Sequence, residues 1–343
     1  MKTLLLVTSL FAGVLAQNAG FPPIGGDLPA QKEWAASIDA SKIPDVSVQS
    51  VPPQCGADDK HCHWTCTTCT RPSDIVSCPK GYFGLTFDDG PTEFSPRLYD
   101  FLKQQNIKAT FFILGSRAAN APEMIKRIHA DGHEIASHTY SHRALTSLSN
   151  EQIIAEMKWT EKAIEQAIGI KPTLMRPPYG DIDDRVRAIM TALGYKAVIW
   201  NKDSNDWRLQ EKSITREEIN GNFSSWVQEA PNASTGPLCL QHDHSTETVD
   251  IAIDQIPRLK NAYKLVTVGT CISGGSGTSP TSTVTATSSS SAAASTSPLT
   301  AASAQLEAAK IKNHSSASIS SYASNGIVKL TALISILMLF LAI

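Results

Sequence analysis

Two adjacent carboxylates lie in the stretch LTFDDG, residues 85–90. Asp88 and Asp89 follow directly after a β-type run that begins at Tyr82. Because neighbouring side chains on a strand point to opposite faces, the two acids must point differently. Either they serve two different functions in one site, or the pair lies in a solvated turn.

A pair of histidines is the second chemical signal. His138 and His142 are spaced i, i+4, which places both imidazoles on one side of a helical turn. Two histidines and one carboxylate form an open zinc site of the hydrolytic type. The HxxxH spacing alone is more often incidental, but an acid pair at a neighbouring strand end favours a metal site.

The elements that must position these residues alternate between strands and helices. The predicted strands are YFGLTF, ATFFIL, HEIAS, TLMR, AVIW, LCLQ and KLVTV. The predicted helices cover residues 95–105, 122–130, a long segment opening at Ser149, 182–193, 215–229 and 249–262. Gln152, three residues after Ser149, completes a capping-box pattern. Strands that alternate with helices imply a parallel sheet, and this many repeats favour a closed barrel over an open sheet.

Polar side chains follow five of these strands. In a barrel of this type the active site lies at the C-terminal ends of the strands. The five groups are Asp88-Asp89, His138 to His142, Arg176 to Tyr179, Asp203 to Trp207, and His242-Asp243. Five groups in register along one alternating chain indicate a site rather than solvated turns.

The same five groups resemble the motifs of the polysaccharide deacetylases, carbohydrate esterase family 4. They read TFDDG (86–90), SHTYSH (137–142), RPPY (176–179), DSNDW (203–207) and LQHD (240–243). The resemblance covers roughly residues 75–272, and the Cys-rich stretch before the first motif looks like that of fungal chitin deacetylases. It implies an α/β fold, a distorted (β/α) barrel with about seven to eight parallel strands.

The resemblance also implies a role for each motif residue. Asp89, His138 and His142 would ligate the metal, which we expect to be Zn²⁺, with Co²⁺ or another divalent ion as the alternative. Asp88 would be the general base that activates the attacking water, and His242 would be the general acid that protonates the departing amine.

Other motif residues would support these groups. Arg176 would hold Asp88 ionised and oriented, and Asp206 would raise the pKa of His242. The backbone N–H of Tyr179 would stabilise the oxyanion.

The remaining motif residues concern the pocket wall. Trp207 and Leu240 would surround the acetyl methyl group, although plain core packing is an equal alternative for Trp207. The roles of Asp203 and Asp243 stay open. One candidate role for Asp243 is to orient the loop.

Seven cysteines favour disulfides over a metal knuckle. Five of them lie within residues 55–78, with His61 and His63 among them, which would permit a zinc site. A secreted chain has oxidised cysteines, and this favours bridges. We expect Cys78 to pair with Cys271, and Cys55, Cys62, Cys66 and Cys69 to form two local bridges. Cys239 would remain a free thiol in an apolar strand.

Both ends of the chain carry targeting features. Residues 1–16 have the basic start, apolar run and small residues of a secretory signal peptide, with a buried N-terminal helix as the alternative. Residues 327–343 form an apolar tail after small residues and a polar spacer. This layout favours GPI attachment, which we place at Ser315, over a tail-end transmembrane helix. We therefore expect a secreted protein anchored at the plasma membrane, in the cell wall, or both.

Four segments lie between these ends. We expect a Pro/Gly-rich arm over residues 17–54, either loosely ordered or a removable pro-segment, and a Cys-rich lead-in over 55–78. The catalytic domain would cover 79–272. Residues 273–326 have too few apolar residues to bury a core and are predicted to form a disordered Ser/Thr-rich stalk.

Charge argues against a nucleic-acid partner. The chain has 30 basic and 32 acidic residues and no basic stripe. We expect a monomer whose partners are a glycan polymer and, through the anchor, a membrane. Candidate glycosylation sequons start at Asn222, Asn232 and Asn313.

The leading functional hypothesis is hydrolysis of the N-acetyl groups of chitin, which yields chitosan and acetate. The first alternative keeps the mechanism and changes the polymer to acetylxylan or a peptidoglycan-like glycan. The second is a catalytically inactive, glycan-binding surface protein, and fold alone does not exclude it. A structural wall protein would explain the stalk but not the five motifs.

The anchor is directly testable on cells that express the full chain. We expect a phosphatidylinositol-specific phospholipase to release the protein into the medium, measured by immunoblot, because only a lipid would hold it. Retention of the protein after treatment would instead indicate a transmembrane helix.

Overall fold

The computed structural model describes residues 20–23, 27–56 and 58–274. The predicted signal peptide, most of the stalk, the apolar tail, Asn313 and Ser315 lie outside these residues. Among the described helices, none has the length and apolar character required to cross a membrane.

Nine short strands occur in the described part of the chain, and all of their pairings are parallel. They are β1 Tyr82–Gly84, β2 Thr86–Asp88, β3 Thr110–Ile113, β4 Glu134–Ser137, β5 Leu174–Met175, β6 Lys196–Ala197, β7 Lys202–Asp203, β8 Cys239–Leu240 and β9 Lys264–Val266. Strands β2-β3-β4-β5-β6 form one sheet, while β1-β9 and β7-β8 form two smaller ones. The predicted α/β class with a parallel sheet is confirmed.

Isolated β-bridges, each a single pair of hydrogen-bonded residues, join the three sheets. Gly84 pairs with Leu238 and Asp88 with His242, which places the β8 segment beside β1 and β2. At the other edge, the chain continues from β6 directly to β7, which pairs with β8. The carboxyl ends of β2, β4, β5, β7 and β8 therefore open on a common region.

The predicted strand over residues 82–87 is divided at Leu85. The N–H of Leu85 donates to Val266 O, whereas its carbonyl accepts from the N–H of Thr110. The chain thus exchanges its β9 partner for β3 at this residue, which sequence periodicity does not report. The predicted AVIW strand is divided in a similar way, because the N–H of Ile199 donates to Ile75 O.

Helices surround the strands. They are α1 Lys32–Ala36, α2 Trp64–Thr67, α3 Ser95–Gln104, α4 Gly115–Asn120, α5 Pro122–Ala130, α6 Asn150–Ile168, α7 Asp184–Ala192, α8 Arg216–Glu229, α9 Thr246–Ala262 and α10 Val268–Ile272. The capping box of Ser149 and Gln152 is present at the start of α6. Helices α1, α2, α4 and α10 were not expected, since each has six residues or fewer and is too short to repeat the 3.6-residue period.

The main core lies between strands β1 to β3 and the helices that cover them. Phe83, Phe87 and Phe111 are fully buried there with apolar residues of α3, α8 and α9. Gly84 lies where two segments of the chain pack closely, because a Cβ at that position would lie 2.6 Å from the Leu238 side chain. This packing fixes β1 and β8 side by side beneath the site.

Three disulfides form, and they agree with the predicted scheme. Cys78 is joined to Cys271, and the lead-in holds the bridges Cys55–Cys66 and Cys62–Cys69. Cys239 is free and buried. The lead-in is therefore a covalently tied segment and not a zinc knuckle.

The N-terminal arm is packed rather than loose. Leu28, Ile38 and Val46 are buried, and the indole N–H of Trp159 on α6 donates to Pro29 O. This corrects the expectation of a loosely ordered arm for the described part of residues 17–54. The alternative of a removable pro-segment stays a prediction.

The Cys78–Cys271 bridge should contribute strongly to stability, because it spans 193 residues. The double substitution Cys78→Ala/Cys271→Ala is expected to lower the free energy of unfolding by about 2–5 kcal/mol, measured by urea denaturation. The matched pair Cys62→Ala/Cys69→Ala opens a loop of only 7 residues and should cost less. An equal or larger loss in that control would contradict this chain-entropy account.

Candidate active site

A cavity of about 520 Å³ opens at the carboxyl ends of the strands, a size typical of ligand pockets. Its lining includes eight of the predicted site residues, Asp88, Asp89, His138, His142, Tyr179, Trp207, Leu240 and His242. Arg176 and Asp206 are buried beside it and contact Asp88 and His242. The residues predicted from five separated motifs thus meet in one place.

Three donor atoms in this cavity have the spacing of a metal site. Asp89 Oδ1 lies 3.5 Å from His138 Nε2 and 3.3 Å from His142 Nε2. Zinc–ligand bonds of about 2.0–2.1 Å in a tetrahedron require donor atoms roughly 3.3–3.4 Å apart. Asp89 Oδ1 is also buried and has no hydrogen-bond partner among the described residues. These residues fit a divalent cation.

Each of the two histidines uses its Nδ1 for a contact outside the donor group, so that its Nε2 is the atom directed at Asp89. His138 Nδ1 lies 2.7 Å from Arg176 O, a contact in which the imidazole must donate. His142 Nδ1 lies 3.1 Å from the Tyr179 hydroxyl. Burial lowers the pKa of His138 to about 3, so its ring is neutral. A neutral ring oriented through its second nitrogen is the usual form of a metal ligand.

The backbone around the ligands adopts the left-handed region, which is uncommon for residues other than glycine. Asp89, Thr139 and His142 have φ of 76°, 66° and 59°. The Glu156 carboxylate on α6 accepts the N–H groups of Tyr140 and Ser141 and so holds the loop between the histidines. Glu156 was not predicted, because it lies on a helix far from any motif and only its burial marks it.

Asp88 forms a buried ion pair with Arg176. The Arg176 guanidinium donates to Asp88 Oδ1 at 2.7 Å, and both side chains are almost fully buried. Burial nevertheless raises the pKa of Asp88 to about 7, although the charge of Arg176 acts in the opposite direction. Arg176 thus favours the ionised form of Asp88 and burial opposes it, and the role of Arg176 in keeping Asp88 ionised stays a prediction.

His242 is held by Asp206 through two contacts. Its backbone N–H donates to Asp206 Oδ2 at 2.9 Å, and its Nδ1 lies 2.7 Å from Oδ1. Burial lowers the pKa of His242, but the charge of Asp206 and this hydrogen bond raise it to about 10. His242 is accordingly an imidazolium at neutral pH, in agreement with the predicted effect of Asp206.

His244 was missed by sequence reasoning. Asp89, His242 and His244 form a second group of potential metal ligands within 4.8 Å of one another. The donor atoms of Asp89, His138 and His142 have the tetrahedral spacing given above, whereas Asp206 favours the protonated form of His242, which opposes metal ligation. The group of Asp89, His138 and His142 is therefore the better candidate. The spacing His242-Asp243-His244 was the available signal for His244.

The remaining predicted residues have distinct positions. Tyr179 is 60% exposed with φ 61°, and Trp207 is 37% exposed, which excludes plain core packing for Trp207. Asp203 accepts the N–H of Asn205 at 2.8 Å. Asp243 is buried, and a Cβ on Gly90 would lie 2.7 Å from its carboxylate. Asp243 thus packs against the turn that follows Asp89.

The two described sequons differ in accessibility. Asn232 is exposed in the turn after α8. Asn222 is half-buried within α8, and its side-chain amide donates to Ser204 O at 3.0 Å.

Comparison with known proteins places the chain in a family. Residues 76–198 match the model of the polysaccharide deacetylase domain. The chain is 42% identical to chitin deacetylase 1 of Cryptococcus neoformans over 75% of its own length and 58% of that protein. It is 38% identical to chitin deacetylase 2 of Saccharomyces cerevisiae over 76% of its own length and 83% of that protein. Across three curated chitin deacetylases, one of them that of Cryptococcus neoformans above, the chain spans only 48–60% of the relative's length.

A solved structure agrees. The chitin deacetylase of Colletotrichum lindemuthianum superimposes with a TM-score of 0.52 at 34% identity, covering 58% of this chain and 90% of that one. With the five motifs assembled around one cavity, these matches show that the chain belongs to the polysaccharide deacetylase family.

Proposed function

We propose that the protein is a metal-dependent deacetylase that hydrolyses the N-acetyl groups of N-acetylglucosamine residues in chitin. The observation that carries the proposal is the donor group Asp89, His138 and His142 in one cavity with Asp88 and the imidazolium of His242. The chitin deacetylases among the relatives support chitin as the polymer.

Asp88 is the general base of the proposed reaction. A bound divalent cation, for which we propose Zn²⁺, would polarise the acetyl carbonyl and make water a better nucleophile near neutral pH. Asp88 accepts a proton as the water oxygen bonds to the acyl carbon. Arg176 orients the Asp88 carboxylate, because the guanidinium binds Oδ1. The second oxygen, Asp88 Oδ2, lies 3.9 Å from His138 Nε2, on the side of the donor group.

His242 is the general acid. It donates a proton to the amide nitrogen as the C–N bond breaks, so that acetate and a free sugar amine leave. Asp206 favours the protonated ring and fixes its direction. The backbone N–H of Tyr179 stabilises the negative charge on the acyl oxygen, and Trp207 and Leu240 form the wall for the acetyl methyl group.

The wider assignment follows from the family and the linked sheets. We propose that the three parallel sheets together form a distorted (β/α) barrel, since single bridges connect them. The disulfides support an exported protein, for which we propose a GPI anchor at the cell surface, a glycan on the exposed Asn232, and a monomeric state.

One observation favours a second polymer. A peptidoglycan N-acetylglucosamine deacetylase, Bc1960, superimposes with a TM-score of 0.52 at 34% identity. The bond that is cleaved would be the same, so only the flanking sugar contacts would differ. Acetate release from chitin oligomers, peptidoglycan and acetylxylan under identical conditions separates these alternatives.

Asp88→Asn should abolish turnover while the metal stays bound. The amide cannot accept a proton, and loss of a general base costs roughly 10²–10⁴-fold in rate, measured as acetate released from chitin oligomers. Asp100→Asn removes an exposed carboxylate on α3 and should leave the rate unchanged. A fully active Asp88→Asn enzyme would refute the assigned base.

His138→Ala should remove the metal, because it deletes one of three protein ligands. Metal content per chain, measured by inductively coupled plasma mass spectrometry after dialysis, should fall to a small fraction of the wild-type value. His129→Ala, which removes an exposed imidazole on α5, is the matched control. Undiminished metal in the His138→Ala variant would exclude this ligand set.

Asp206→Asn should lower the pKa of His242. The neutral amide no longer stabilises the imidazolium, while burial continues to disfavour it. Histidine NMR titration of wild type and variant measures the shift, and the alkaline limit of kcat should move to lower pH with it. An unchanged His242 titration would contradict the role of Asp206.

A further inference from the structure

Trp64 and Trp200 lie in the cavity wall and have no part in the chemistry described above. Both are half-buried, both line the cavity, and their ring centroids are 4.6 Å apart at 60°. Their remaining surface is available to a ligand. An aromatic face that is partly open in a cleft is suited to stack on another flat or C–H-rich face.

These tryptophans occupy a different part of the wall from the proposed acetyl pocket. Trp207 and Leu240 follow or lie on the paired strands β7 and β8. Trp64 instead packs on Gly180 in the turn after β5, and Trp200 follows β6. Gly180 comes directly after Tyr179, whose ring lies 4.6 Å from that of His142. Trp64 is therefore near the metal group but separate from the acetyl wall.

The contact with Gly180 shows that the position of Trp64 is specific. A Cβ on Gly180 would lie 2.3 Å from the Trp64 ring and 3.1 Å from that of Trp200. Any larger residue would displace the indole from the wall. The left-handed φ of 68° at the same position gives glycine a second reason to be there.

The Cys-rich segment, the lead-in of residues 55–78, holds Trp64 rigidly. Disulfides Cys55–Cys66 and Cys62–Cys69 enclose the helix α2 that carries it. Buried Arg187 on α7 donates to Cys62 O at 2.6 Å and to Cys69 O at 3.2 Å. The N–H of Trp64 itself donates to Ile182 O. A fixed aromatic surface loses little conformational entropy when a ligand binds.

We propose that Trp64, presented by the Cys-rich segment and paired with Trp200, binds a pyranose ring of the polymer next to the residue that loses its acetyl group. Ring faces of β-linked aminosugars carry C–H groups that pack on an aromatic face. The inference rests on the proposed function, and it assigns the segment a role in substrate binding besides a structural one.

Kinetics on an N-acetylglucosamine pentamer test the proposal. Trp64→Ala should raise KM at least fivefold and leave kcat within twofold of wild type, because the acetyl pocket and the acid–base groups are untouched. Trp64→Phe keeps an aromatic face and should recover most of the affinity, whereas Trp64→Leu should not. Trp34→Ala removes another half-buried tryptophan, on the short helix α1, and should leave both constants unchanged.

Calorimetric titration with the fully deacetylated pentamer makes the test independent of turnover. The wild-type holoenzyme should bind it at least fivefold more tightly than Trp64→Ala. Equal affinities, or a Trp64→Ala variant with native circular dichroism whose kcat falls as far as its kcat/KM, would overturn the proposal. A wild-type enzyme that releases no acetate from the pentamer would instead refute the proposed function, and the binding comparison would still decide the role of Trp64.

Discussion

The buried ion pair of Arg176 and Asp88 is the interaction on which the site depends. A fully buried guanidinium needs a counter-charge, and Arg176 donates to Asp88 Oδ1, the Thr86 hydroxyl and Cys239 O, while its Nε has no hydrogen-bond partner among the described residues. The backbone carbonyl of Arg176 also accepts a hydrogen bond from His138 Nδ1. One residue at the end of β5 thereby positions the base on β2, a metal ligand after β4, and β8. Loss of this pair would disturb all of them together.

The two adjacent acids have opposite electrostatic environments. Burial raises the pKa of Asp88 to about 7, whereas the nearby histidines lower that of Asp89 to about 2 against burial. A carboxylate of low pKa suits a ligand, and one near neutrality suits a base. Alternation along β2 and the left-handed φ at Asp89 separate the two side chains. A tandem pair can therefore support two functions.

Sequence patterns predicted the chemistry better than the walls of the site. Asp88, Asp89, His138, His142 and His242 follow apolar strands, so that strand-end reasoning places them together. Trp200 ends the predicted AVIW strand but carries no acid–base or ligand group, and Trp64 and Glu156 have no strand-end signal at all. Their positions depend on how the Cys-rich segment docks on α7 and how α6 packs beneath the histidine loop. The break at Leu85 was equally hidden, because it reflects a change of hydrogen-bond partner and not of hydropathy.

The central claim is that these residues form a metal-dependent deacetylase. Its most direct test measures acetate and free amine released from chitin oligomers by the intact enzyme, after chelation and after addition of Zn²⁺. The account predicts that release stops when the metal is removed, returns on addition of Zn²⁺, and yields one amine for each acetate. Undiminished release by enzyme shown to hold no metal would contradict it.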